Sequence, residues 1–133
     1  MWAVRANIAV LRLGIPIGSQ HLLSIVGRTS GRLRSTPISV VTVDGGEYLV
    51  SAFAHADWVA NARAVGSGTL RRGRTSRRVR LVELSVDERE PILRAFLRQV
   101  PGGVRFFAAG HDPGAVAAAA ADYPVFRVDP AEP

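Results

Sequence analysis

The sequence predicts an α+β domain, mainly β: a small, partly open barrel of about six mostly antiparallel strands with helices against it. Three observations carry this. Short apolar runs with period-two alternation recur along the chain, separated by Gly-, Pro- and Asp-containing breaks. Two of the breaks, Asp44-Gly45-Gly46 and Gly73-Arg74, have hairpin chemistry, so the strands they join run antiparallel. One long amphipathic stretch, residues 85–100, reads as a helix able to cover a sheet face.

Taken in order, residues 2–13 suit a helix, with Trp2, Ile8 and Leu11 on one stripe and Gly14 and Pro16 as stops. A plug for an open edge of the core is its plain use. His21 to Val26 reads as a first strand and Ile38 to Val43 as a second, with Pro37 expected at a strand start or edge because it donates no ladder bond. Glu47 to Phe53 is the third strand, with Tyr48, Val50 and Ala52 on one face and Leu49, Ser51 and Phe53 on the other. Asp57 is placed to cap a helix in which Trp58, Ala62 and Val65 share a face, and Gly66 ends it. Thr69 to Arg72 and Thr75 to Leu84 form a hairpin. Ser85 and Glu88 have capping-box spacing for the helix 85–100, and Pro91 predicts an irregular first turn. Phe106 and Phe107, an alanine-rich helix 114–121 and a last strand Tyr123 to Val128 follow. No repeat or linker divides residues 1–133, so one domain is expected, with residues 1–18 as an N-terminal helix and 20–128 as the core.

Composition narrows the chemistry. There is no cysteine, which excludes disulfides, thiolate metal sites and cysteine nucleophiles. The net charge is +6, and all 17 basic residues are arginine, the better side chain for bidentate anion recognition. His21, His55 and His111 lie far apart with no metal-ligand spacing, so no metal site is expected. There is no GxSxG elbow, no Walker loop and no Rossmann glycine fingerprint. No run reaches the roughly 18 apolar residues that span a bilayer. A cytoplasmic protein is expected, with a peripheral membrane contact left open, and an open barrel edge leaves room for a homodimer.

Against this spare background one stretch stands out. Gly27-Arg28-Thr29-Ser30-Gly31-Arg32-Leu33-Arg34 is a turn between two strands that brings backbone N–H groups, hydroxyls and guanidiniums to one place. That set suits a phosphate or carboxylate. Its plain alternative is a hairpin turn made soluble by arginine. A second basic group, Arg71, Arg72, Arg74, Arg77, Arg78 and Arg80, reads as a guard on an exposed sheet edge, or as a surface for an anionic ligand. Nucleic acid is not expected there, because no aromatic residues interleave with the arginines. With no catalytic side-chain set in view, the pattern fits a protein that lends its chemistry to a bound organic cofactor.

The series Gly27-Arg28-Thr29-Ser30-Gly31-x-x-Arg34-x-x-Pro37-Ile38, then Asp44-Gly45-Gly46, then Asp57-Trp58-x-x-Asn61-x-Arg63-Ala64, and finally Tyr123-Pro124-Val125-Phe126-Arg127-Val128 resembles the deazaflavin-dependent nitroreductases. These actinobacterial oxidoreductases and F420H2-dependent quinone reductases use coenzyme F420. The resemblance covers about residues 20–128 and implies a split β-barrel of the flavin-reductase, FMN-binding type. It implies that Arg28, Thr29, Ser30, Gly31 and Arg34 hold the phosphate and acidic tail. It further implies that Pro37, Ile38, Ser51, Ala52 and Phe53 lie against the ring, that Trp58 and Asn61 close the site, and that Arg63 adds charge. The implied reaction is hydride transfer to a small-molecule acceptor: a quinone, a nitro compound or an enone. The chain departs from the family pattern at Phe53, Ala54, His55 and Ala56, so Phe53, His55, Phe106 and Phe107 are the expected acceptor pocket. Two alternatives remain: an FMN binder on the same barrel, and a non-catalytic binder of anionic lipid or nucleic acid through residues 71–80.

Overall fold

A computed structural model describes residues 20–100 and 113–131. The strands are β1 (Gln20–Val26), β2 (Leu33–Val43), β3 (Gly46–Val50), β4 (Ser67–Arg72), β5 (Thr75–Glu83) and β6 (Val125–Pro130). The helices are α1 (Asp57–Val65), α2 (Glu90–Gln99) and α3 (Pro113–Ala118), with 3-10 turns at Val86–Glu88 and Ala120–Asp122. All strand pairs are antiparallel, and the order β1-β2-β3-β6-β5-β4 closes on itself through Leu23↔Leu70. The expected barrel is therefore correct in strand number and direction, but it is closed rather than partly open. Among the described residues, none of the helices is long and apolar enough to cross a membrane.

Alternation along the strands fills the barrel. Leu23, Ile25, Ile38, Val40, Leu49, Leu70, Val79, Leu81, Phe126 and Val128 point inward and form one buried cluster. The α1 residues Val59 and Ala62 close that cluster, with Trp58 packed against it. The opposite face of β2, β3 and β6 is also covered: Val41, Val50 and Val125 pack on Ile92, Leu93, Ala95 and Phe96 of α2 and on Val116. Removing a fully buried side chain such as Phe126 or Leu23 (each 1% exposed) costs about 3–5 kcal/mol, because the interior cannot collapse around the hole.

Two hairpins behave as their turn residues dictate. Asp44 and Gly45 both take positive φ (50° and 80°), the pairing a two-residue turn needs to follow strand twist. Gly73 takes φ 60° between Arg72 and Thr75, which are partners. Closure removes the sheet edge that the arginines of 71–80 were expected to guard, since β4 pairs with both β1 and β5.

Several boundaries move, each for a local reason. The second strand begins at Leu33, so Pro37 lies within it. It is tolerated because β3 pairs only with Val40–Val43, which leaves Pro37 with β1 on one side alone. The third strand stops at Val50 because the Ser51 hydroxyl donates to the Phe53 carbonyl (2.6 Å) and accepts from the Phe53 N–H (3.1 Å), turning the chain away. Ala56, not Asp57, occupies the cap of α1, and no side chain caps it. The αL residue Gly66 ends α1 as expected. The expected helix 85–100 is split into the 3-10 turn, where Glu88 accepts from the Ser85 N–H (3.2 Å), and α2, with Pro91 in its first turn. The alanine-rich helix ends at Ala118, and the last strand runs from Val125 rather than Tyr123. The N-terminal helix and the Phe106-Phe107 wall lie outside the described residues.

Candidate cofactor and acceptor site

The β1–β2 turn is built around two glycines. Gly27 donates its N–H to Arg32 O (2.7 Å) and accepts from Gly31 N–H (3.0 Å). A Cβ on Gly27 would stand 2.7 Å from Ser30 Oγ and 3.2 Å from Arg32 O, so a side chain there would turn the Ser30 hydroxyl away and press on the Arg32 carbonyl. Gly31 takes φ +68°, a conformation that favours glycine.

The turn is pinned from the side by α1. Asn61, 4% exposed, accepts at Oδ1 from the Arg28 N–H (3.0 Å) and from Arg28 Nη1 (2.8 Å). Asp57 Oδ1 stands 3.7 Å from Arg28 Nη2, but it is almost fully exposed and water screens the pair. The result is a groove of about 580 Å³ with an apolar floor of Leu23 and Ile25. Gly27, Arg28, Thr29 and Ser30 form one wall, Leu33, Arg34, Ser35 and Thr36 a second, and Asp57, Trp58 and Asn61 the third. Its two lining guanidiniums, at positions 28 and 34, share the groove with one carboxylate, that of Asp57. Trp58 is half-buried, its ring 5.5 Å from that of Phe126 and tilted by 55°, so the barrel holds one side of it while the other lines the groove.

A second groove, of about 500 Å³, lies across the segment that leads into α1. It is lined by Ala52, Phe53, Ala54, His55 and Ala56 together with Asp122 and Tyr123. Phe53 is 62% exposed, a large apolar ring without cover.

The expected residues divide accordingly. The first groove gathers Arg28, Thr29, Ser30, Arg34, Trp58 and Asn61, with Gly31 at the tip of its turn. Ala52, Phe53 and His55 line the second groove, apart from the anion-type donors. Pro37 and Ile38 line neither; Ile38 is part of the barrel interior. Ser51 is buried and holds the Phe53 backbone. Arg63 also stands outside both grooves. Its guanidinium forks onto Glu83, Nε to Oε1 at 2.8 Å and Nη2 to Oε2 at 2.7 Å, and it lines neither groove. Those bonds raise the Arg63 pKa and hold the Glu83 carboxyl below its ordinary value, with burial opposing both shifts.

Thr36 and Asp122 line these grooves as well, though neither was among the expected residues. Thr36 is a strand residue paired with Leu23, and the β1–β2 register is what brings it to the groove. Asp122 had no local signal; the 3-10 turn before β6 delivers it. Among the described residues no three His, Asp or Glu groups converge to hold a metal.

The sequence model for F420H(2)-dependent quinone reductases matches residues 2–112. The chain belongs to that family. It is an F420H2-dependent oxidoreductase, and coenzyme F420 is its cofactor. The donor set of the first groove fits that molecule: guanidiniums and hydroxyls for its anionic part, Trp58 and an aliphatic floor for its apolar part. No curated protein matches the chain. Among solved structures, an F420-H2 dependent reductase, FDR-A, is similar over 84% of this chain and 94% of its own (TM-score 0.60, 23% identity). A domain-swapped dimer is similar over 96% and 97% (TM-score 0.64, 19% identity). HutZ, the heme storage protein of Vibrio cholerae, is similar over 98% and 92% (TM-score 0.58, 14% identity). These likenesses establish the fold, a split barrel.

Proposed function

We propose that the chain reduces a small electrophilic acceptor, a quinone foremost, with nitro compounds and enones in the same class. The observation that carries this is a pair of grooves of opposite character, the second lined by residues 52–56 and the first by Asp57 and Trp58, which follow them directly in the chain. The first would hold the cofactor through Arg28, Thr29, Ser30 and Arg34, with Trp58 and Asn61 as its wall. The second, mostly alanine and Phe53, would hold the flat apolar acceptor. Reduced coenzyme F420, when bound, supplies a hydride equivalent.

The protein's own part is binding, orientation and exclusion of water. Asn61 keeps Arg28 aimed before any anion arrives, so its ordering cost is already met by the fold. Negative charge developing on the acceptor would be met by backbone N–H groups, by hydroxyls or by solvent, with the His55 imidazole among the residues that line the second groove. The domain-swapped relative supports a homodimer as part of this proposal.

The test is titration with oxidised and reduced deazaflavin, followed by stopped-flow mixing of the reduced complex with a panel of quinones and nitroaromatics. Phe53→Ala and His55→Ala are expected to raise acceptor KM while leaving deazaflavin affinity unchanged. If instead both variants weaken deazaflavin binding and spare acceptor KM, the division of the two grooves is wrong.

A further inference from the structure

One carboxylate ties the two walls of this site together. Arg63 lies on α1 two residues beyond Asn61, and both of its donors go to Glu83 at the end of β5. Glu83 Oε2 also accepts from Arg89 Nη2 at 3.1 Å. Arg89 is 6% exposed, and its remaining bonds are to backbone carbonyls: Nε to Leu84 O at 3.2 Å, Nη1 to Ala120 O at 3.0 Å and to Ala121 O at 3.5 Å. Residues 120 and 121 belong to the 3-10 turn that presents Asp122 and Tyr123 to the second groove. At the other end of the chain of contacts, α1 presents Asp57, Trp58 and Asn61 to the first. Burying a guanidinium is costly unless it is paired and fully bonded, and an apolar side chain of similar size would stabilise the same spot as well or better. What an apolar residue cannot do is fix three separate backbone segments at set distances.

We propose that Arg63, Glu83 and Arg89 are positioning residues for the transfer step. They set the spacing between the α1 wall of the cofactor groove and the 120–123 wall of the acceptor groove, and so the approach of the two bound molecules. The inference rests on the two-groove reading above. The depressed Glu83 carboxyl is consistent with it: the clasp stays charged across the neutral range.

Glu83→Gln is the decisive variant, since it keeps the size and removes the charge, and Glu83 lines neither groove. Three readouts separate positioning from plain stability: deazaflavin Kd by fluorescence, the single-turnover rate with a saturating naphthoquinone, and quenching of bound oxidised deazaflavin by that quinone, which needs no turnover. The expected result is a Kd within about twofold of wild type, a transfer rate lower by about tenfold, and weaker quenching. Arg63→Gln should give the same pattern, and the double variant no more than either alone, because both break one clasp. Rate and quenching equal to wild type in Glu83→Gln overturn the proposal, whether or not Tm falls, and so do fully additive losses. A wild type that binds deazaflavin but shows no quinone-dependent quenching sinks the two-groove reading and the clasp with it. A wild type that quenches normally while only Glu83→Gln stays unchanged sinks the clasp alone.

Discussion

Two hairpins of this molecule are rich in arginine, and each lines a groove of its own. The β1–β2 hairpin holds Arg28, Arg32 and Arg34; the β4–β5 hairpin holds Arg71, Arg72, Arg74, Arg77, Arg78 and Arg80. By charge alone the second is the stronger candidate. Its side chains, however, are mostly spread over the outside of a closed barrel. Arg77 is already forked onto Glu47 (2.7 and 2.8 Å), and Arg71 Nε is bonded to Gly73 O at 2.9 Å. In the first hairpin, α1 lies alongside and provides a second wall. Asn61, buried in that helix, holds the Arg28 guanidinium in place. Charge density does not distinguish the two; the wall that α1 adds to the first groove does.

The comparison can be broken at several points. Arg28→Ala should have the largest effect, lowering deazaflavin affinity by about 10- to 100-fold, since a hydrogen bond to a charged group contributes roughly 1.5–3 kcal/mol. Fluorescence titration reads this directly. Asn61→Ala should come next: about tenfold in affinity and about 1–2 kcal/mol in stability, because the Arg28 N–H and guanidinium lose their shared acceptor. If Asn61→Ala leaves affinity intact, the pinning from α1 is irrelevant and the contrast with the β4–β5 hairpin loses its basis.

A pH experiment tests the Arg63–Glu83–Arg89 clasp. Glu83 has its carboxyl depressed below 4.5 by Arg63 first, so it contributes stability that is present above 4.5 and is lost as pH falls through the lower folded value. The acid limb of Tm against pH should therefore be shallower in Glu83→Gln than in wild type. Parallel limbs would mean the pair is screened out by solvent. The smallest effect is expected from the triple variant Arg72→Gln, Arg74→Gln, Arg78→Gln, which should change deazaflavin affinity by less than about twofold, as exposed charges this far from a ligand are screened. A loss matching that of Arg28→Ala would show that both hairpins serve one ligand.

Much of the barrel was readable because its signals are local. Asp44-Gly45 and Gly73 take the positive φ their turns require, and residues 38 to 41 and 48 to 50 alternate between two buried faces as period two demands. The turn at 27–34 was also legible, since its donors are contiguous. What escaped was set by long-range contact. Closure depends on β1 meeting β4, which no local pattern announces. The resemblance implied that Arg63 adds charge beside Trp58 and Asn61, yet a helix turns about 100° per residue. Two positions beyond Asn61 it faces β5 and finds Glu83. Ser51 looked like the continuation of a strand, and only its side chain's bonds to Phe53 ended that strand early.

The strand order has a consequence for how the chain must fold. β6 is last in sequence but sits between β3 and β5, each pairing with it along residues 125–130. Until those residues have been synthesised, β3 and β5 both present unpaired edges and the cylinder stays slit along its length. The early hairpins form from near neighbours, whereas the final seam joins Tyr48 to Arg127, a separation that slows folding and prolongs exposure of sticky edges. Folding should therefore be gated by arrival of the sixth strand.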